Sequence, residues 1–197
     1  CLVHRGPDGS GVWARGPVAL GHRRFSIIDL TTAGAQSVVD PALGLTAVFN
    51  GIIYNYKQLR AELQAAGHRF FSTSDTEVVL KAYAEWGTAC VDHFLGMFAI
   101  GVFEHRTGRL VLVRDRLGIK PLYVDQRADR IRFAATPQAL LAAGGVDTSI
   151  DRTALAHYMT FHSVVPAPRT VLFGVRKLPP ATLPVVGPDG ANRATVQ

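Results

Sequence analysis

Apolar and polar positions change period along the chain, and each change marks an element. From Val18 to Leu30 the run VALGHRRFSIIDL reads as a strand, and LTAVFNG, from Leu45 to Gly51, reads as a second strand closing on an Asn50-Gly51 turn. Helical spacing follows. Leu59, Leu63 and Ala66 recur on one face of a segment that Asn55 is placed to cap and Gly67 to end in a left-handed conformation. A second helix opens at Ser74, where Glu77 completes a capping-box pattern, and carries Val78, Leu80, Ala82, Tyr83 and Trp86. Beyond it come short strands, GMFAIGVFEH, RLVLVRD, PLYVDQ and RIRFAA, punctuated by Thr107-Gly108 and Ala128-Asp129. Weaker helical patterns span 136–143 and 152–161. Two helices against largely antiparallel strands predict an α+β layered domain. The tail from Val164 to Gln197 carries six prolines and little periodicity, and it predicts a linker.

The chain has 197 residues, 48% of them hydrophobic, which is ample for one core. The expected organisation is one domain over 1–150, then a helix and Pro-rich linker over 151–197. No run approaches the roughly 18 apolar residues of a membrane span, and CLVHRGPDGSG has no signal-peptide pattern, so a cytoplasmic location without a membrane partner is expected. The formal charge of +6 raises the question of nucleic acid. The cations are scattered in ones and twos, as at Arg23, Arg24, Arg114 and Arg116, with acids between them, and no nucleic-acid-binding signature is present. Nucleic-acid binding is therefore not expected. Cys1 and Cys90 lack metal-ligand spacing, so no metal site is expected, and Cys90 in WGTACVDHF reads as a buried small apolar residue. There is no P-loop and no G-x-G-x-x-G.

Four strings carry the chemistry: HRGPDGSG (4–11), HRRFSIIDL (22–30), FNGIIYNY (49–56) with STSDTEVVLKAY (72–83), and RDRLGIKPLY (114–123). In this order and spacing the chain resembles the class II glutamine amidotransferase domain of glutamine-hydrolysing asparagine synthetases. FHSVVPAPRTVLFGVRKLPPAT resembles the segment that leads into the synthetase domain there. Ile52 stands where that family usually has the glutamate of its NGEIYN motif; this and the VDTSID to VPAPRT stretch resemble the N-acetylglutaminylglutamine amidotransferases. The resemblance implies a four-layer αββα N-terminal-nucleophile hydrolase sandwich. It also implies hydrolysis of L-glutamine to glutamate and ammonia, the ammonia then amidating a carboxylate activated as an acyl-adenylate. No cofactor is implied for this domain, whereas ATP and Mg are implied for the synthetase domain. A homo-oligomer is compatible with the family.

By the same resemblance Arg24 clamps the α-carboxylate of glutamine, a task suited to a planar, permanently charged fork. Asp75 holds the α-ammonium. Phe25, Ser26, Ile27 and Ile28 form the wall, and the Asn50 side-chain amide with the Gly51 N–H forms the oxyanion hole. Each residue alone also has a plain structural reading: Asn50-Gly51 as a turn pair, Asp75 as a helix N-terminal acid, Arg24 as a surface cation. The loops 4–11 and 114–123 read as pocket rim and domain contact, or simply as turns.

The family nucleophile is an amino-terminal cysteine whose α-amine serves as base. Cys1 stands only three residues before His4, where the resemblance places the end of a helix, so it is not expected to be that cysteine. On this reading the chain lacks the first strand, the nucleophile and the synthetase domain, and is inactive alone. GGVDTSID (144–151) mimics an adenylate-forming loop but follows no strand and reads as a turn. Two other readings stay open: a glutamine-binding domain without catalysis, and a stand-alone hydrolase of another amide.

Overall fold

The computed structural model describes residues 2–26, 28–189 and 192–196, the last group in its backbone alone. In chain order the elements are β1 (Gly9–Arg15), β2 (Val18–Arg24), β3 (Val38–Asp40), β4 (Leu45–Ile53), α1 (Tyr56–Ala65), α2 (Asp75–Trp86), α3 (Cys90–His93), β5 (Gly96–Glu104), β6 (Leu110–Arg114), β7 (Tyr123–Gln126), β8 (Ile131–Ala134), α4 (Pro137–Ala142), α5 (Arg152–Thr160), β9 (Arg176–Lys177), β10 (Thr182–Val186) and β11 (Asn192–Val196). A six-stranded antiparallel sheet has the order β11-β10-β6-β5-β4-β3. The hairpin β1-β2 and the three-stranded sheet β8-β7-β9 are separate from it in hydrogen bonding.

Strand residues alternate between faces, so the nearly continuous apolar runs in β4, β5 and β6 bury both sides of the large sheet. Phe49, Ile53, Phe98, Ile100, Val111 and Val113 join Leu59 and Leu63 of α1 and Val78 and Val79 of α2 in one core. The intervening residues point the other way. Ala99, Leu110 and Leu112 meet Leu122, Val124, Ile131 and Phe133, while Val48 and Phe103 meet Leu20 of β2. With α4 packed against β7 and β8, the layers run helix, sheet, sheet, helix. This is the expected αββα sandwich.

Four local expectations change. The first strand ends at Arg24, because the chain then turns to meet loops from elsewhere. The second does not end in a turn at Asn50-Gly51: β4 runs on to Ile53, held by a nine-residue ladder to β5 in which Asn50 faces Ala99 and Gly51 faces Phe98. Gly51 answers a close approach instead, since a Cβ there would lie 2.1 Å from the Met97 carbonyl oxygen. Asn55 precedes α1 without capping it, and its side chain bridges the His93 carbonyl and the Leu95 N–H. Finally, the tail supplies β9, β10 and β11, and β10 pairs with β6. Its prolines mask this pattern, though Pro184 itself sits inside β10. The loop 144–149 lies outside helix and strand, as expected.

The end of α1 follows expectation. Gly67 adopts φ +97° while the His68 N–H donates to the Leu63 carbonyl. At α2 only half of the capping box forms: Ser74 Oγ accepts the Glu77 N–H, but Glu77 reaches past Ser74. Its buried carboxylate accepts the N–H groups of Phe71 and Ser72 and the Ser72 hydroxyl.

Candidate functional site

A cleft of about 780 Å³ opens between the two sheet layers. One wall is the inner face of the large sheet, where Val48, Asn50 and Ile52 alternate with outward-facing neighbours. The opposite wall includes Ile131 and Phe133, and the mouth is formed by the end of β2 and the start of α2. Arg24, Phe25, Ser26, Ile28, Asn50, Gly51 and Asp75 all line it. The structure thus gathers these expected residues from three separate segments, 22–30, 49–56 and 72–83. Ile27 and Cys1 lie outside the described residues.

Antiparallel pairing fixes what the β4 edge offers. Phe49 N–H donates to Gln36 Oε1 at 2.8 Å and Ile53 N–H to Asp75 Oδ2 at 3.2 Å, both away from β5. Gly51 falls between them in the same alternation, so its N–H takes the same direction. Gln36 also donates from Nε2 to Thr76 Oγ1, which ties this edge to the first turn of α2.

Asp75 is the first helical residue after the Ser74 cap and is only 7% exposed. Burial raises its carboxyl above the ordinary carboxylate range, against the lowering effect of backbone N–H groups from Ile53 and its own turn. A carboxylate so placed gains from an incoming cation. His22, on β2 beside the cleft, is pushed down to about 4 by burial, so its ring is neutral near pH 7.

The Arg24 guanidinium donates to the backbone carbonyls of Thr31 and Asp29, which uses two of its five N–H donors and orients the fork. Two residues that sequence reasoning passed over build this corner. Asp8, in the HRGPDG loop, donates its N–H to the Arg24 carbonyl and accepts the Ser26 N–H at 2.7 Å. Asp29 accepts the N–H and hydroxyl of Thr31 and of Thr73, stapling the 25–31 loop to the segment before α2. These bonds, the Thr31 hydroxyl first, hold its carboxyl well below the ordinary range. Both acids stand in the four strings, which was the available signal.

The RDRLGIKPLY loop is also built from within. Asp115 accepts the N–H groups of Phe98, Ile119 and Lys120, and the Arg114 guanidinium donates to the carbonyls of Gly118, Lys120 and Leu178. It delivers Ile119, Lys120 and Pro121 to the cleft rim. Cys90 is 3% exposed and burial pushes its thiol up to about 12, so it is no nucleophile. Among the described residues no cluster of three or more His, Cys, Asp or Glu could hold a metal ion, and no helix is long and apolar enough to cross a membrane.

A family model described as a glutamine amidotransferase domain matches residues 1–195. Asparagine synthetase [glutamine-hydrolyzing] 3 of Bacillus subtilis is 37% identical over 194 residues, covering 97% of this chain and 31% of that protein. Asparagine synthetase [glutamine-hydrolyzing] 1 of the same organism is 40% identical over 190 residues, covering 96% of this chain and 29% of that protein. The chain therefore spans about a third of the length of these relatives. Among solved structures, the glutamine phosphoribosylpyrophosphate amidotransferase of B. subtilis superposes with a TM-score of 0.62 at 16% identity, over 90% of this chain and 34% of that one. That likeness concerns the fold.

Proposed function

The chain belongs to the glutamine amidotransferase domain family, with asparagine synthetases among its relatives, and on that footing we propose that its inter-sheet cleft binds L-glutamine for hydrolysis to glutamate and ammonia. The observation that carries this reading is the meeting of a cation, an anion and a strand-edge N–H in one cleft: Arg24, Asp75 and Gly51. Arg24 takes the α-carboxylate with its remaining N–H donors, and Asp75 takes the α-ammonium. These two fix the amino-acid end, so the side-chain amide points along the inner face of β4. Attack on that amide places negative charge on its oxygen, where the Asn50 side-chain amide and the Gly51 N–H donate. One such donor is worth about a hundredfold or more in rate. Ile52 contributes an apolar wall in place of a carboxylate.

The nucleophile is a thiol that this reading assigns to an amino-terminal cysteine, with its own α-amine as base. The ammonia serves a cytoplasmic, ATP- and Mg-dependent synthetase module of the kind in the relatives, to which we assign the acyl-adenylate chemistry and the choice of acceptor. The tail from Val164 leads toward that module, while β10 and β11 within it complete the sheet of this one.

The pH dependence of L-glutamine binding tests the assignment of Asp75. Because its folded pKa is raised, the carboxylate loses its charge at a higher pH than an ordinary aspartate, and the acceptor for the ammonium goes with it. Calorimetric titrations at falling pH will show affinity dropping before pH reaches about 4, above the range where the ligand's own carboxylate titrates. Affinity that stays flat down to pH 4 removes Asp75 from the site.

A further inference from the structure

α5 carries more apolar surface than this chain covers. It has nine residues, and an isolated helix shorter than about 12 residues is marginal in water unless packing supports it. Its first turn is anchored, because the Asp151 carboxylate accepts the N–H groups of Thr153 and Ala154 and pairs with Arg169. Beyond Ala154, its single buried side chain, the helix turns outward: Leu155 is 44% exposed, Tyr158 42% and Met159 75%. Phe161 and Val164, which follow the helix directly in the chain, are exposed as well, at 49% and 59%. His157, on the same helix, has a buried Nδ1 with no hydrogen-bond partner.

Composition says what kind of contact this is. From Thr153 to Pro168 there is no Lys, Arg, Asp or Glu, in a chain where 18% of residues are charged. Loss of charge together with enrichment in Tyr, Phe and Met marks the core of a protein interface rather than a solvated helix face. The relatives indicate the occupant. They share 96–97% of this chain, yet it makes up only 29–31% of their length, so the shared domain is one part of a protein about three times larger. Such a domain needs an interdomain face, ordinarily of about 600–1,500 Å².

We propose that α5 and the segment from Phe161 to Val164 form the docking face for the synthetase module. This rests on the proposed pairing of the domain with such a module and on no role of the cleft. In hydrogen–deuterium exchange, amides 153–161 will exchange about tenfold or more slowly in the full product of the gene than in the 197-residue chain. The double substitution Leu155→Glu with Met159→Glu will restore fast exchange in the full product. In the 197-residue chain the same pair will leave the melting temperature unchanged, because both side chains are already exposed there.

Equal exchange at 153–161 in the two forms overturns the proposal. So does a gene product with no module beyond these residues, or protection that grows with concentration in the 197-residue chain, which would make a second copy the occupant. Titration of both forms with L-glutamine separates the two claims, since absence of binding with α5 still protected sinks the cleft reading and leaves the docking face standing.

Discussion

Asp75→Asn keeps the chain folded and removes about a hundredfold or more of its affinity for L-glutamine. Two effects set the stability half of this expectation. An acid in the first turn of a helix gains about 0.3–1 kcal/mol from the helix dipole. Burial acts against it, and the raised pKa shows that burial wins: the folded state favours the neutral carboxyl, so its charge costs stability at all pH above the unfolded value. Asparagine keeps the shape and removes that cost, so the melting temperature holds or rises. The affinity half follows from the ligand. Its ammonium would be left without an anionic partner in a buried site, a loss of about 2–5 kcal/mol. A melt and a calorimetric titration on one preparation read both. A lower melting temperature with unchanged affinity would make Asp75 a helix-terminal acid and nothing more.

Gly51→Ala destabilises the chain by about 3 kcal/mol, at the upper end of what overpacking a well-fitted interior costs. The added methyl would lie 2.1 Å from the Met97 carbonyl oxygen and 2.7 Å from Phe98 Cα, both backbone atoms of the adjacent central strand. Backbone in the middle of a six-stranded sheet cannot swing aside as a side-chain tip can. The β4-β5 ladder must spread over the segment that carries Asn50 and the N–H groups of residues 49, 51 and 53. For a chain of this size the melting temperature falls by about 6–12 °C. The contrasting position is Gly101, where the added methyl meets side-chain atoms, the edge of the Phe133 ring at 2.9 Å and Val48 Cγ2 at 3.2 Å; side chains give way more readily than strand backbone, so the cost is smaller. Equal losses at the two sites would mean that Gly51 serves as a generic strand glycine and that the close approach has no bearing on the oxyanion edge.

Local pattern carried most of the layer plan. The apolar runs of β5 and β6, the helical spacing of α1 and α2, and the glycine that ends α1 all depend on neighbours a few residues away, and they were legible. Pairing across the sheet was not. The Asn50-Gly51 pair has turn chemistry in isolation, and only the ladder to β5 makes it strand. The prolines around 164–188 suggested a linker, while the partner strands of that segment, β6 and β7, lie more than fifty residues earlier.

The site divides the same way. Arg24, Asn50 and Asp75 stand in recognisable strings, but the groups that position them act at a distance: Asp8 reaches 18 positions to Ser26, Gln36 reaches 40 to Thr76, and Asp29 reaches 44 to Thr73. A polar residue in a motif gives no sign of which distant N–H it will meet. Glu77 shows the limit most plainly, for its spacing from Ser74 matched a capping box and its carboxylate went to Phe71 and Ser72 instead.

If the cleft reads a free amino acid through both of its charged ends, a paired calorimetric titration of the 197-residue chain with L-glutamine and with butyramide will separate the two ligands. Butyramide keeps the amide and lacks both α-groups. L-glutamine will bind with a dissociation constant of roughly 1 μM to 1 mM and butyramide at least about a hundredfold more weakly. Equal affinities, or no heat from L-glutamine, would contradict that reading of the cleft.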